Sequence, residues 1–106
     1  MRINWYSEAQ WHLEQIEDYI FDRFGVDSML EFVEKVDQAV GMIRRHPSVG
    51  PVEPLLADRM QIYRSVVVGN MSKIIYRVQD ETIHIVDFWD CRREPKALSE
   101  EIESKR

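Results

Sequence analysis

The chain has 106 residues, 44% apolar and 31% charged, with a mass of 12.7 kDa. A chain of this mass hides roughly two-thirds of its unfolded surface, so residues 1–106 are expected to form a single domain around one core. No apolar run nears the ~20 residues of a membrane span, the opening Met1-Arg2-Ile3-Asn4-Trp5-Tyr6 lacks the apolar stretch of a signal peptide, and the lone Cys91 cannot close an internal disulfide. An integral membrane protein is excluded on these grounds and a cytoplasmic setting is expected. The formal net charge is −5, but it is unevenly spread: residues 1–58 carry −6, residues 59–96 carry +2 and residues 97–106 carry −1.

In chain order, Ile3 and Trp5 predict a short opening strand. Ser7 with Gln10 reads as a capping box, and behind it Ala9, Leu13, Ile16, Ile20 and Phe24 recur at helical spacing. Gly25 is placed to stop that helix, because it accepts a left-handed conformation without a Cβ penalty. Ser28 with Glu31 repeats the capping pattern, followed by Val33, Val36, Val40 and Ile43 on one face. Arg44, Arg45 and His46 suit the negative end of this second helix, and Pro47 ends it. The acidic residues fall mainly on the outer faces of this αα-hairpin, where they read as solvated surface. Glu14, Glu17 and Asp18 belong to that set. Pro47, Gly50, Pro51 and Pro54 mark a loop over residues 47–60.

From Gln61 the period changes to that of strands over residues 61–68, 71–79 and 82–89. Gly69-Asn70 and Asp80-Glu81 are the turns, and Glu94-Pro95 opens a short terminal helix. The order β-α-α-β-β-β-α predicts an α+β fold, an antiparallel sheet with the helical hairpin packed on one face.

A two-residue loop at Gly69-Asn70 pairs Val68 with Met71, Val66 with Lys73 and Arg64 with Ile75. A second at Asp80-Glu81 pairs Arg77 with His84 and Lys73 with Phe88. With side chains alternating along each strand, Arg64, Lys73, Arg77 and His84 are then expected on one face. Tyr63, Val67, Ile74, Tyr76, Val78, Ile83, Ile85 and Trp89 are expected on the other, against the helices, with Asp87 as a misfit. Two readings of the basic face stand side by side. Exposed strand faces carry Lys and Arg for solubility, and an Arg–Lys–His cluster also matches the oxygens of a phosphate. His12, His46, His84 and Cys91 lack metal-ligand spacing, so no metal or cofactor is expected. No phosphate-binding loop, dinucleotide turn or nucleophile elbow is present. His12 reads as structural. Cys91 reads as a bystander, although the adjacent Arg92 and Arg93 are of a kind that lowers a thiol pKa.

The chain resembles the RelE/ParE superfamily of toxins from bacterial toxin–antitoxin (plasmid stabilisation) modules. The likeness is carried by Tyr63-Arg64, by Lys73-Ile74-Ile75-Tyr76-Arg77-Val78, and by Ile85-Val86-Asp87-Phe88-Trp89-Asp90 running into Arg92-Arg93-Glu94-Pro95. The resemblance implies growth inhibition by ribosome-dependent mRNA cleavage, an endoribonuclease (mRNA interferase) activity. It carries catalytic roles onto Arg64, Lys73 and Arg92, while Arg77, His84 and Arg93 are expected to contact the substrate. Val66 stands where some members carry a lysine, and Leu98 where they carry a tyrosine. The other branch poisons DNA gyrase by binding it, and a third outcome keeps the fold without toxicity. The implied partners are a cognate antitoxin, in a heterotetramer or larger assembly, with ribosome and mRNA or, alternatively, DNA gyrase.

Overall fold

The computed structural model describes residues 1–91 and residue 102. Its elements are β1 (Arg2–Trp5), α1 (Ser7–Phe24), α2 (Val26–Arg45), a 3-10 turn at Pro54–Leu56, β2 (Arg64–Val68), β3 (Ser72–Gln79) and β4 (Thr82–Asp90). The expected terminal helix, with Arg92, Arg93 and Leu98, lies outside the described residues. Among those described, no helix is long and apolar enough to cross a membrane.

A single residue separates the two helices. Gly25, at φ +91°, donates its N–H to the Phe21 carbonyl and accepts the Met29 N–H at its own carbonyl, closing α1 and opening α2 in one step. The helix therefore begins before Ser28, and the Ser28–Glu31 pattern lies inside α2 instead of capping it. Ser7 is likewise the first helical residue, and Tyr6 occupies the N-cap without a side-chain bond.

The sheet order is β1-β4-β3-β2. β1 pairs with β4 in parallel, Ile3 opposite Ile83 and Trp5 opposite Ile85, so the sheet is mixed at that edge. The chain leaves β1 through both helices before it returns, and such a long connection permits a parallel neighbour. The 80–81 turn forms as the spacing predicts: Gln79 pairs with Thr82 and Arg77 with His84. Asp80 and Glu81 both take positive φ, 52° and 60°, the geometry of a type I′ turn.

The other hairpin corrects the expected register. Its loop has three residues, Gly69, Asn70 and Met71, so Val68 pairs with Ser72, Val66 with Ile74 and Arg64 with Tyr76. A shift of one residue turns every side chain of β2 to the opposite face. A second irregularity lies in β4, where Ile75 pairs with Asp87 but Tyr76 with Ile85, leaving Val86 as an extra residue. This bulge advances the alternation by one. Lys73 consequently faces Trp89 and not Phe88.

Both faces of the sheet are apolar as a result. Val68, Ile74, Tyr76, Ile83, Ile85 and Phe88 pack against Ala9, Val36, Ala39 and Ile43 of the helices. Tyr63, Ile75, Val86 and Trp89 form a second cluster on the far face with Leu56 and Ile102. Of the residues expected under the helices, Ile74, Tyr76, Ile83 and Ile85 are there. Tyr63 and Trp89 sit on the far face, and Val67 and Val78 are exposed. Phe24 ends α1 exposed rather than on its packed face.

Candidate functional site

The expected four-residue basic cluster does not assemble, because Arg64 leaves the face that Lys73, Arg77 and His84 share. Arg64 pairs with Tyr76 and so shares the helix-side face, whereas Lys73 and Arg77 alternate with Ile74 and Tyr76 onto the far face. Arg64 spends its guanidinium on the backbone, donating from Nη1 to the Gly50 carbonyl at 2.9 Å. Gly50 in turn donates its N–H to the Tyr76 hydroxyl, which itself donates to the Pro47 carbonyl at 2.7 Å. Burial holds the Tyr76 phenol above its usual range. A Cβ at residue 50 would come within 2.6 Å of the Ser65 carbonyl oxygen, so the strap over the β2 edge needs glycine there. Arg64 is thus part of the fastening between loop and sheet.

Lys73 is also engaged. Its Nζ donates to Glu53 Oε1 at 2.7 Å, and the Glu53 side chain is 1% exposed. Glu53 Oε2 is buried with no hydrogen-bond partner among the described residues. A carboxylate buried this deeply is tolerable only beside a cation. Cys91 lies near this pair, and burial pushes its thiol above the usual range, outweighing the pull of Lys73.

The polar residues that do gather on the far face are at the other end of β3. Arg77 donates from Nη2 to the Tyr6 hydroxyl at 2.9 Å and from Nη1 to Gln79. Tyr6 meets His84 edge to face, ring centroids 6.1 Å apart. Asn4 Nδ2 lies 3.0 Å from His84 Nδ1, consistent with an imidazole whose Nδ1 accepts. Burial, and then the charge of Arg77, hold His84 below the usual histidine range, so the neutral ring prevails at neutral pH. Beside this group opens a cavity of about 620 Å³, lined by Tyr6, Arg59, Gln61, Tyr63, Arg77 and Val86 among others. Arg77 and His84 therefore meet as the sequence predicts. Tyr6 joins them only because β1 runs parallel to β4, a pairing that no local pattern signals.

On the helix side, the misfit Asp87 has its explanation. It is fully buried, and Oδ1 accepts both His12 Nδ1 of α1 at 2.6 Å and the Phe88 N–H at 2.8 Å. His12 is structural, as expected, and its partner is the carboxylate that the alternation with Ile83 and Ile85 already places on the helix side. Glu17 is pushed up by partial burial and then by Glu14, Asp18 and Asp37, the repulsion of an acidic helix surface.

A sequence-family model described as ParE toxin of type II toxin–antitoxin system, parDE, matches residues 3–95. No curated protein sequence matches significantly. Among solved structures, the chromosomal ParDE toxin–antitoxin system from P. aeruginosa superposes with a TM-score of 0.69 at 19% identity, covering 85% of this chain and 95% of that one. At that identity the superposition speaks for the fold, and the family model spans β1 through β4 and beyond. With the helical hairpin and mixed sheet already in view, the chain belongs to the ParE toxin family of type II toxin–antitoxin systems.

Proposed function

We propose that this chain is the toxin of its module and arrests growth in the cytoplasm by binding DNA gyrase, rather than by cutting mRNA on the ribosome. The observation that carries this reading is the one-residue register of β2 on β3. It separates Arg64 from Lys73 across the sheet, while Lys73 is neutralised by Glu53 and Arg64 is tied to Gly50. Charge stabilisation of a cleaving phosphodiester needs cations that converge on one phosphate. A poison that works by binding has no such requirement, and a net charge of −5 suits a protein target better than the polyanionic ribosome. The cognate antitoxin binds the toxin in a heterotetramer or larger assembly and relieves the arrest.

The test pairs two assays on the same protein. Purified toxin is expected to inhibit supercoiling by gyrase, and cells expressing it to accumulate DNA breaks, both reversed by the antitoxin. Primer extension on mRNA from those cells is expected to show no new 5′ ends within codons. New ends inside codons, with gyrase unaffected, overturn the proposal and return the nuclease reading.

A further inference from the structure

The far-face cavity offers a second chemistry, independent of the gyrase reading. The protein as a whole is acidic, yet this cavity of about 620 Å³ is lined by two arginines, and the carboxylate nearest them among the described residues, the largely exposed Asp58, lies 3.8 Å from Arg59 Nη1. Its size falls within the ~300–1,000 Å³ of small-molecule sites. Arg77 is held by Tyr6 and Gln79, which use two of its five N–H donors and fix the plane of the fork. Two tyrosine rings, Tyr6 and Tyr63, and the apolar Val86 supply flat and greasy walls. Gln61 accepts from the Tyr63 hydroxyl through Oε1, which leaves its amide N–H groups for another acceptor.

We propose that this cavity binds a nucleoside phosphate, the phosphate at the Arg59 and Arg77 guanidinium groups and the base against the tyrosine rings, with Gln61 reading its edge. Each part of that ligand has its counterpart. Guanidinium forks match phosphate oxygens. Base–aromatic stacking is tolerant of base identity. An oriented amide pairs with the acceptors of a base. An acidic peptide would use the arginines but leave the ring walls unfilled.

Isothermal titration of the full chain tests this with AMP, adenosine, inorganic phosphate and a single-stranded DNA hexamer. AMP is expected to saturate one site, with adenosine and phosphate each ~10-fold weaker or more, and Arg77→Gln to lower AMP affinity by at least ~10-fold, the range of a lost charge-assisted bond. Tighter binding of the hexamer with the same Arg77 dependence supports the site and makes a nucleic-acid strand the source of the nucleotide. Gln61→Ala lies in the loop, away from the core, and is expected to weaken AMP several-fold while leaving phosphate unchanged. Equal affinity for AMP and phosphate, no saturable binding, or AMP binding unaltered in both folded variants overturns the proposal.

Discussion

The two faces of the sheet treat their polar groups differently. Under the helices, one carboxylate, Asp87, is fully enclosed and shares its oxygen between His12 and the Phe88 backbone. On the far face, polar groups sit at the margins of a smaller apolar cluster: Lys73 with Glu53 at one end, Arg77 with Tyr6 and His84 at the other. The first arrangement fixes how a helix meets a strand. The second leaves hydrogen-bonding capacity beside a cavity. Charge on a strand thus has a meaning only once its face is known, and in this chain that depends on one extra turn residue and one bulge.

The comparison is most sharply tested by removing the enclosed carboxylate. Asp87→Ala strips the acceptor from His12 and from the Phe88 N–H, and two buried donors left unsatisfied at about 1–3 kcal/mol each, with the cavity left behind, cost roughly 3–5 kcal/mol together. Urea denaturation should show that loss, with growth arrest lost alongside it. A loss under 1 kcal/mol would mean that the helix side does not depend on the pair.

On the far face, Lys73→Met leaves Glu53 buried without its cation, and a cost of about 3 kcal/mol is expected. Adding Glu53→Gln should recover most of it, since the uncompensated charge is then gone. The double variant should also keep its growth arrest. Stable double-variant protein that no longer arrests growth would give Lys73 a role in the toxic activity itself.

The β3–β4 turn gives a smaller effect. Glu81 holds φ +60° at a position where glycine is unstrained, so Glu81→Gly is expected to add about 0.5–1 kcal/mol by thermal or urea unfolding.

The smallest expected effect is a pH dependence. The folded pKa of His84 is depressed, so the unfolded chain binds more protons as pH falls through the histidine range. Stability from this group is complete above the unfolded pKa and declines below it. His84→Gln should flatten a shallow loss of stability as pH falls below the ordinary histidine range. An unchanged slope would place the histidine in solvent in both states.

Much of the fold was legible because it is local. Helical spacing located both helices, Gly25 their junction, and Asp80-Glu81 a turn whose register is correct to the residue. Sequence likeness supplied the family. The sequence also brought Arg77 and His84 together, since a two-residue turn leaves little freedom between neighbouring strands. It misplaced Arg64 relative to Lys73 because two- and three-residue loops at Gly69 differ by a single residue in a side-chain period of two. It misplaced Trp89 because nothing local marks the extra residue at Val86, which is set by how β4 fits against β3 and the helices together. Tyr6 beside Arg77, His12 beside Asp87 and Glu53 beside Lys73 join residues 71, 75 and 20 positions apart. Local periodicity carries no information at that range. The amino-acid sequence alone therefore determined the elements, their order and their shortest turns, which depend on nearest neighbours. Only the tertiary structure decided which polar side chains meet, because that follows from strand register and from packing on both faces of the sheet.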